Sequence, residues 1–297
     1  MPEEASNYVR IPMTIPFQIN LKDQVAVITG GGGVLCGAMA DAVAQCGAKV
    51  AILDLKLDKA QQGADRIRQA GGVARGFAAN VLDKASLEQA HEQVKAALGP
   101  VDILINGAGG NHPRGTTSRE FLSREDLTAP QEGVVTFYDL TAEGIQFVFN
   151  LNFLGTFLPT QVFSRDMVLQ GRGNIINIYS MNAFRPLTKI PAYSAAKAGV
   201  SNFTQWLAVH FSRTGVRVNA IAPGFFLTDQ NRGLLTQPDG SLTARGTTIT
   251  AHTPQGHFGK PEDLIGTLLW LLSGEGSGFV TGQVIAVDGG FSAFSGV

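Results

Sequence analysis

Apolar runs of four to six residues recur along the chain, and between them lie longer stretches in which apolar side chains return every three or four positions. A continuous apolar run marks a strand buried on both faces, and the three-to-four spacing marks a helix with one buried stripe. On this reading strands fall at 24–29 (QVAVIT), 49–53 (KVAIL), 73–79, 101–105 (VDILI), 174–178 (NIINI), 216–221 (VRVNAI) and 283–287 (QVIAV). Helices fill the gaps at about 34–46, 57–70, 84–98, 142–169, 193–213 and 261–273, with Gly47, Gly71, Gly99 and Gly215 at stop positions. This alternation predicts an α/β fold: a doubly wound, seven-stranded parallel sheet flanked by helices, in a single domain over 21–297 behind an N-terminal extension, 1–20. Two stretches, about 107–140 and 225–258, break the rhythm with Gly, Pro and Thr and follow strand ends. Ligands of open parallel sheets bind outside the carboxyl ends of the strands, so these stretches are candidate substrate walls rather than disordered surface loops.

Charged side chains make up 16% of the chain, against roughly a quarter in ordinary soluble proteins, so part of the surface is expected to be buried in a homo-oligomer. A formal net charge of −1, with no block of like charge, offers no basic field to a phosphate backbone and argues against a nucleic-acid partner. The first twenty residues open acidic and hold no apolar core of a secretory signal, so a cytoplasmic location is expected. LIGTLLWLL at 264–272 is about half of the roughly 20 residues a membrane span needs and reads as a core helix, with no membrane partner. Cys36 and Cys46 share one predicted helix and suggest neither a disulfide framework nor a thiolate cluster. His91, His210 and His252 form no spaced set with carboxylates or thiolates, so no catalytic metal is expected.

The first strand runs into Thr29-Gly30-Gly31-Gly32-Gly33-Val34, where a helical pattern begins at once with Val34 and Leu35. Such a turn lets a pyrophosphate approach the backbone, and the helix's free N–H groups and dipole attract its charge. The second strand ends at Asp54, 24 residues after Gly30, where a carboxylate can accept hydrogen bonds from the adenosine ribose. The next residue, Leu55, is no cation for a 2′-phosphate, which favours NAD over NADP, although Lys56 lies close by. The alternative role for Asp54 is to cap the following helix.

Tyr193 and Lys197, four apart in YSAAK, share one helix face, and Ser180 lies 13 residues earlier, just beyond the strand NIINI. A tyrosine ordinarily titrates near 10, too high for efficient acid–base work at neutral pH, and an adjacent ammonium favours its phenolate. Tyr193 would protonate a carbonyl oxygen as hydride reaches carbon, with Ser180 holding that oxygen; in oxidation the roles reverse.

Five ordered motifs then carry a resemblance: Thr29-Gly30, NGAGG at 106–110, Asn152 in NFLGT, the serine-YxxxK set and RVNAIAPGFFLT at 217–228. Over about residues 20–297 the chain resembles the short-chain dehydrogenase/reductase family. The resemblance implies a Rossmann-type fold, tetramers or dimers built on the helices near 142–169 and 193–213, and Asn152 supporting Lys197 through a water. It also implies cofactor contacts from Gly30, Gly32, Gly33, Val34, Leu35, Asp54, Leu55, Asn80 and Val81. Further contacts are implied from Asn106, Ala108 and Gly109 on the adenosine side, and from Tyr193, Lys197, Pro223, Gly224, Phe226 and Thr228 around the nicotinamide. The chain departs from the family pattern at Val34 and Cys36, which stand where TGxxxGxG places glycines, and at Asn80, which replaces an Asp.

GGGGVL, GGNHPRGTT, MNAFRPLTK, PGFFLTDQNR and the closing DGGFSAFSG resemble the D-mannonate oxidoreductase (fructuronate reductase) subfamily. A sugar acid needs a cation for its carboxylate and amide or imidazole partners for its hydroxyls, and His112, Arg114, Asn182 and Arg185 are the candidates. Each also has a structural reading: Arg185 as a loop brace, Arg114 as a solvated charge, His112 as a turn residue. His257 stands where the subfamily often has Arg. The leading expectation is therefore an NAD-linked enzyme of keto sugar acids. A gluconate-type or polyol dehydrogenase is the alternative within enzymes, and a nucleotide-sensing module that has lost its chemistry is the alternative outside them.

Overall fold

The computed structural model describes residues 18–228 and 231–296. Most of the expected N-terminal extension, and Asp229 and Gln230 of the PGFFLTDQNR motif, lie outside the described residues. Seven strands, β1 (Val25–Thr29), β2 (Lys49–Asp54), β3 (Val73–Ala78), β4 (Ile103–Asn106), β5 (Gly173–Ile178), β6 (Val216–Pro223) and β7 (Val284–Val287), form one sheet in the order β3-β2-β1-β4-β5-β6-β7. Every pairing is parallel.

Along the chain the helices are α1 (Val34–Gln45), α2 (Leu57–Gln69), α3 (Lys84–Leu98), α4 (Glu125–Thr128), α5 (Ala142–Phe149) and α6 (Gly155–Gln170). They continue with α7 (Pro191–His210), α8 (Arg232–Leu235), α9 (Ala244–Ala251), α10 (Ile265–Leu272) and α11 (Gly274–Ser277). All five β1 side chains are buried because alternate ones enter different cores. Ala26 and Ile28 pack with Met39, Ile67, Leu264 and Leu268 on one face of the sheet, and Val25 and Val27 pack with Leu87, Phe163, Leu207 and Val218 on the other.

The strand order reverses between β1 and β4, which pair directly with Thr29 opposite Asn106. Loops leaving these two strands in opposite directions open a crevice at their carboxyl ends. The helix expected over 142–169 is broken. Residues Asn150–Leu154 form a π-turn in which the Gly155 N–H reaches the Asn150 carbonyl five residues back, separating α5 from α6. The helix expected to start at 193 starts two residues earlier, because Pro191 fits its first turn, where no N–H is needed. Among the described residues, the first irregular stretch contains α4 and the second contains α8 and α9.

Candidate active site

The turn after β1 is shaped by two close approaches. Gly30 adopts φ +66°, and a Cβ there would stand 3.0 Å from the Ala108 Cα. A Cβ on Gly32 would stand 2.8 Å from Asp54 Oδ2, so the turn lies flush with the carboxylate that ends β2. Asp54 does not cap α2, which starts after Lys56 with no side-chain cap; its Oδ1 accepts from the Lys56 N–H at 3.1 Å in a local turn while Oδ2 faces the glycine turn. Gly33 caps α1 without a side chain, and no acidic residue occupies the first turn, leaving the Val34 and Leu35 end of the helix open to an anion. Open amides, no competing carboxylate and a ribose-ready Asp54 together fit a dinucleotide.

Across the crevice, the Thr29 hydroxyl accepts from both Gly107 and Ala108 N–H at 3.1 and 3.2 Å, tying the loop after β4 to the end of β1. Cys36 fills the space that a Cβ on Gly107 would need. The bulk at position 36 is therefore accommodated by a glycine on the opposite wall, and burial pushes the Cys36 thiol up to about 12.

The catalytic candidates converge at the carboxyl end of β5. Ser180 caps a short turn at Met181–Ala183 and accepts from the Asn182 N–H at 3.3 Å. Burial raises the Tyr193 phenol above the usual tyrosine value, and a hydrogen bond with the Ser180 hydroxyl draws it part of the way back. One turn along α7, the Lys197 ammonium lies 5.8 Å from the Tyr193 ring centre and donates to the Ile178 carbonyl at 2.8 Å. Asn152 projects from the π-turn, donating to the Gly110 carbonyl at 2.7 Å and accepting from the Gly110 N–H at 3.1 Å. A Cβ on Gly109 would stand 2.7 Å from Asn152 Oδ1 and 3.3 Å from Lys197 Nζ, so the two groups flank one point.

Burial pushes Lys197 down to about 8, the charged form being the one desolvated. In the ligand-free protein one lysine is thus expected to titrate near pH 8, charged below and neutral above. Side-chain NMR should show this resonance in wild type and lose it in Lys197→Met; lysines all titrating near 10 would contradict it.

Asn106 faces away from the crevice. Its amide donates to Thr160 Oγ1 and Asn177 Oδ1, each at 2.9 Å, and Asn177 in turn donates to Thr204 of α7 at 2.9 Å. The Asn106 side chain is thus engaged within the protein rather than presented to the crevice. Asn177, Thr160 and Thr204 are not singled out by the sequence; polar residues inside apolar runs are the available signal.

The other candidates are more dispersed. The exposed Asn80 uses Oδ1 to cap the Leu82 N–H at 3.0 Å, with buried Val81 beside it, and Leu55 is 70% exposed. Pro223 ends β6 and Gly224 follows it, Phe226 is buried against Gly259, and the Thr228 N–H donates to Asn231. His112 accepts from the Arg114 N–H within its own turn and sits edge-on to Phe147 at 5.1 Å, while Arg114 is exposed. Asn182 is buried, and its Oδ1 has no hydrogen-bond partner. Arg185 donates to the Phe294 carbonyl at 3.2 Å. Among the described residues, no group of three or more His, Cys, Asp or Glu is placed to hold a metal ion, and no helix is long and apolar enough to cross a membrane.

Comparison with known proteins places this geometry. An uncharacterized oxidoreductase of Bacillus subtilis is 53% identical over 95% of this chain and 100% of its own length. The crystal structure of a provisionally assigned D-mannonate oxidoreductase of Haemophilus influenzae with bound NAD superposes with a TM-score of 0.89 at 51% identity, covering 96% of this chain and 100% of that one. A gluconate 5-dehydrogenase of Burkholderia cenocepacia, in complex with NADP and tartrate, is 28% identical with a TM-score of 0.78, covering 94% and 98%. The family model described as short chain dehydrogenase matches residues 24–239, and by that match and these identities the chain belongs to the short-chain dehydrogenase family, oxidoreductases that act on a CH–OH group with a nicotinamide cofactor.

Proposed function

We propose that this enzyme interconverts a keto sugar acid and the corresponding hydroxy acid with NAD(H), with D-fructuronate and D-mannonate as the pair. The observation that carries the reaction is the meeting of Ser180, Tyr193 and Lys197 at the carboxyl end of β5, facing the Gly30–Asp54 cradle across the switch point. When bound, NADH supplies the hydride. Ser180 holds the substrate oxygen, Tyr193 gives its phenolic proton to that oxygen, and the Lys197 ammonium stabilises the phenolate that remains. Asn152, gripped by Gly110, fixes the wall beside Lys197. Asp54, followed by exposed Leu55, favours an unphosphorylated ribose, in keeping with the NAD bound to the Haemophilus relative.

The sugar-acid reading rests on that relative's description and on polar groups of the first irregular stretch and of the turn after β5. His112 and Arg114 stand on the first and Asn182 follows Ser180, and these three are the proposed substrate contacts; Arg185, expected with them from the sequence, has its guanidinium on the Phe294 carbonyl. The tartrate complex of the gluconate 5-dehydrogenase supports a second reading, a gluconate-type dehydrogenase. Phe149, Phe153, Phe157, Phe203 and Trp206 line an apolar groove between the π-turn region and α7, which is the proposed interface of a homo-oligomer, tetramer or dimer. The proposed location is the cytoplasm.

Loss of NADH absorbance with a panel of keto sugar acids and their uncharged analogues, repeated with NADPH, tests the assignment. Reduction of D-fructuronate but not of neutral ketoses is the expected result. Turnover of 5-ketogluconate alone would favour the second reading, and turnover of neutral ketoses alone would overturn the carboxylate requirement.

A further inference from the structure

The chain does not end with β7. Asp288 accepts from the Gly290 and Ser292 N–H groups at 3.0 and 2.9 Å, and Gly289 and Gly290 adopt φ +63° and +88°, which turns the chain back over the carboxyl edge of the sheet. From there the segment touches the loop after β5 and the long stretch after β6. The Asp288 backbone lies against Gly224, where a Cβ would stand 2.6 Å from the Asp288 Cα, and Phe291 packs edge-on to Phe225 at 5.3 Å. The Gly289 carbonyl accepts from the Gln255 N–H at 3.2 Å, just beyond α9. Phe294 meets His252 at 6.3 Å and offers its carbonyl to Arg185, five residues past Ser180. Since β6 lies between β5 and β7, the Arg185 contact means that the segment crosses the whole β5–β6–β7 edge.

We propose that residues 288–296 form a strap closing the substrate chamber over this edge, and that Arg185 is a positioning residue that fastens the strap through the Phe294 carbonyl. The strap joins the loop carrying Ser180 to the α9 stretch, so the two walls hold their spacing together. Arg185 then acts on the substrate through that spacing, and the carboxylate falls to another cation. This inference rests on the proposed function for its kinetic arm only.

The test uses Arg185→Ala, Arg185→Lys and a chain ending at Ser292, which lacks the Phe294 carbonyl, alone and combined. Arg185→Ala is expected to raise the D-fructuronate KM about 10-fold with kcat changed less than about 3-fold, the signature of lost ground-state positioning rather than lost chemistry. Arg185→Lys, which keeps a long donor, should recover most of the loss. The shortened chain should show the same KM rise and make Arg185→Ala silent, because the two changes remove one contact. A full KM penalty from Arg185→Ala in the shortened chain would overturn the proposal by placing Arg185 on the carboxylate itself. A second measurement needs neither a known substrate nor a folded truncation: carboxypeptidase should release residues 293–297 several-fold faster from full-length Arg185→Ala than from wild type. Equal release rates would overturn the strap, whereas faster release from a protein that ignores D-fructuronate would leave the strap standing and sink only the substrate reading.

Discussion

Replacing Tyr193 by Phe is expected to leave NADH affinity within about 3-fold of wild type and to lower kcat by about 10²- to 10⁴-fold, the range attributed to a positioned proton donor. The ring, with Lys197 5.8 Å from its centre, is retained, and only the hydroxyl that bonds Ser180 is lost. The direction of pH dependence follows from the same environment. Burial raises the Tyr193 phenol, so at neutral pH it carries its proton and is ready to donate during reduction. Oxidation needs the phenolate. Its rate is therefore expected to rise with pH from neutrality toward the raised phenol value, while the reductive rate stays level until pH passes that value and only then falls, and both dependences should vanish in Tyr193→Phe. Fluorescence titration with NADH and stopped-flow turnover measure the two parts. A Tyr193→Phe variant that binds NADH normally and reacts as fast as wild type would remove Tyr193 from the chemistry and revive a non-catalytic nucleotide-binding role.

Asn106→Ala is expected to act on stability more than on chemistry. The asparagine lies 1% exposed at the end of β4 and supplies the donor for both Thr160 and Asn177. Its own Oδ1 is buried without a partner, so the substitution removes one unsatisfied acceptor while depriving two others of their donor. With the cavity that truncation leaves, the net loss should be about 2–4 kcal/mol of unfolding free energy in chemical denaturation. Because Thr204 joins the network from α7, the helix that also carries Tyr193 and Lys197, kcat should fall modestly as well. NADH affinity should change little, since Gly107 and Ala108 are held independently by Thr29. A large loss of NADH affinity at unchanged stability would instead put the Asn106 side chain on the cofactor.

Much of the sheet is legible because strands such as β1 and β4 are buried on both faces, so their sequences are nearly unbroken apolar runs. Tyr193 and Lys197 were legible because a spacing of four is read directly on a helix. Contacts between distant segments were not. FVFNLNFLG keeps a helical rhythm, and nothing local announces that the helix widens where Asn152 engages Gly110, 42 positions away. Arg185 stands out by its charge and its distance from Ser180, yet its partner is a backbone carbonyl 109 residues later. The 107–140 stretch has no period of its own, and it is ordered by Arg119 reaching both Asp126 and Gln131, side chains spaced to no secondary-structure repeat.

The π-turn at Asn150–Leu154 sets activity against robustness. An uninterrupted helix from 142 to 170 would form more regular hydrogen bonds, and a single-residue deletion within the turn would restore one. That deletion would rotate Asn152 by about 100° around the helix axis, away from Gly110 and the Lys197 wall. Selection for thermal endurance alone would therefore favour a helix from which Asn152 no longer reaches Gly110.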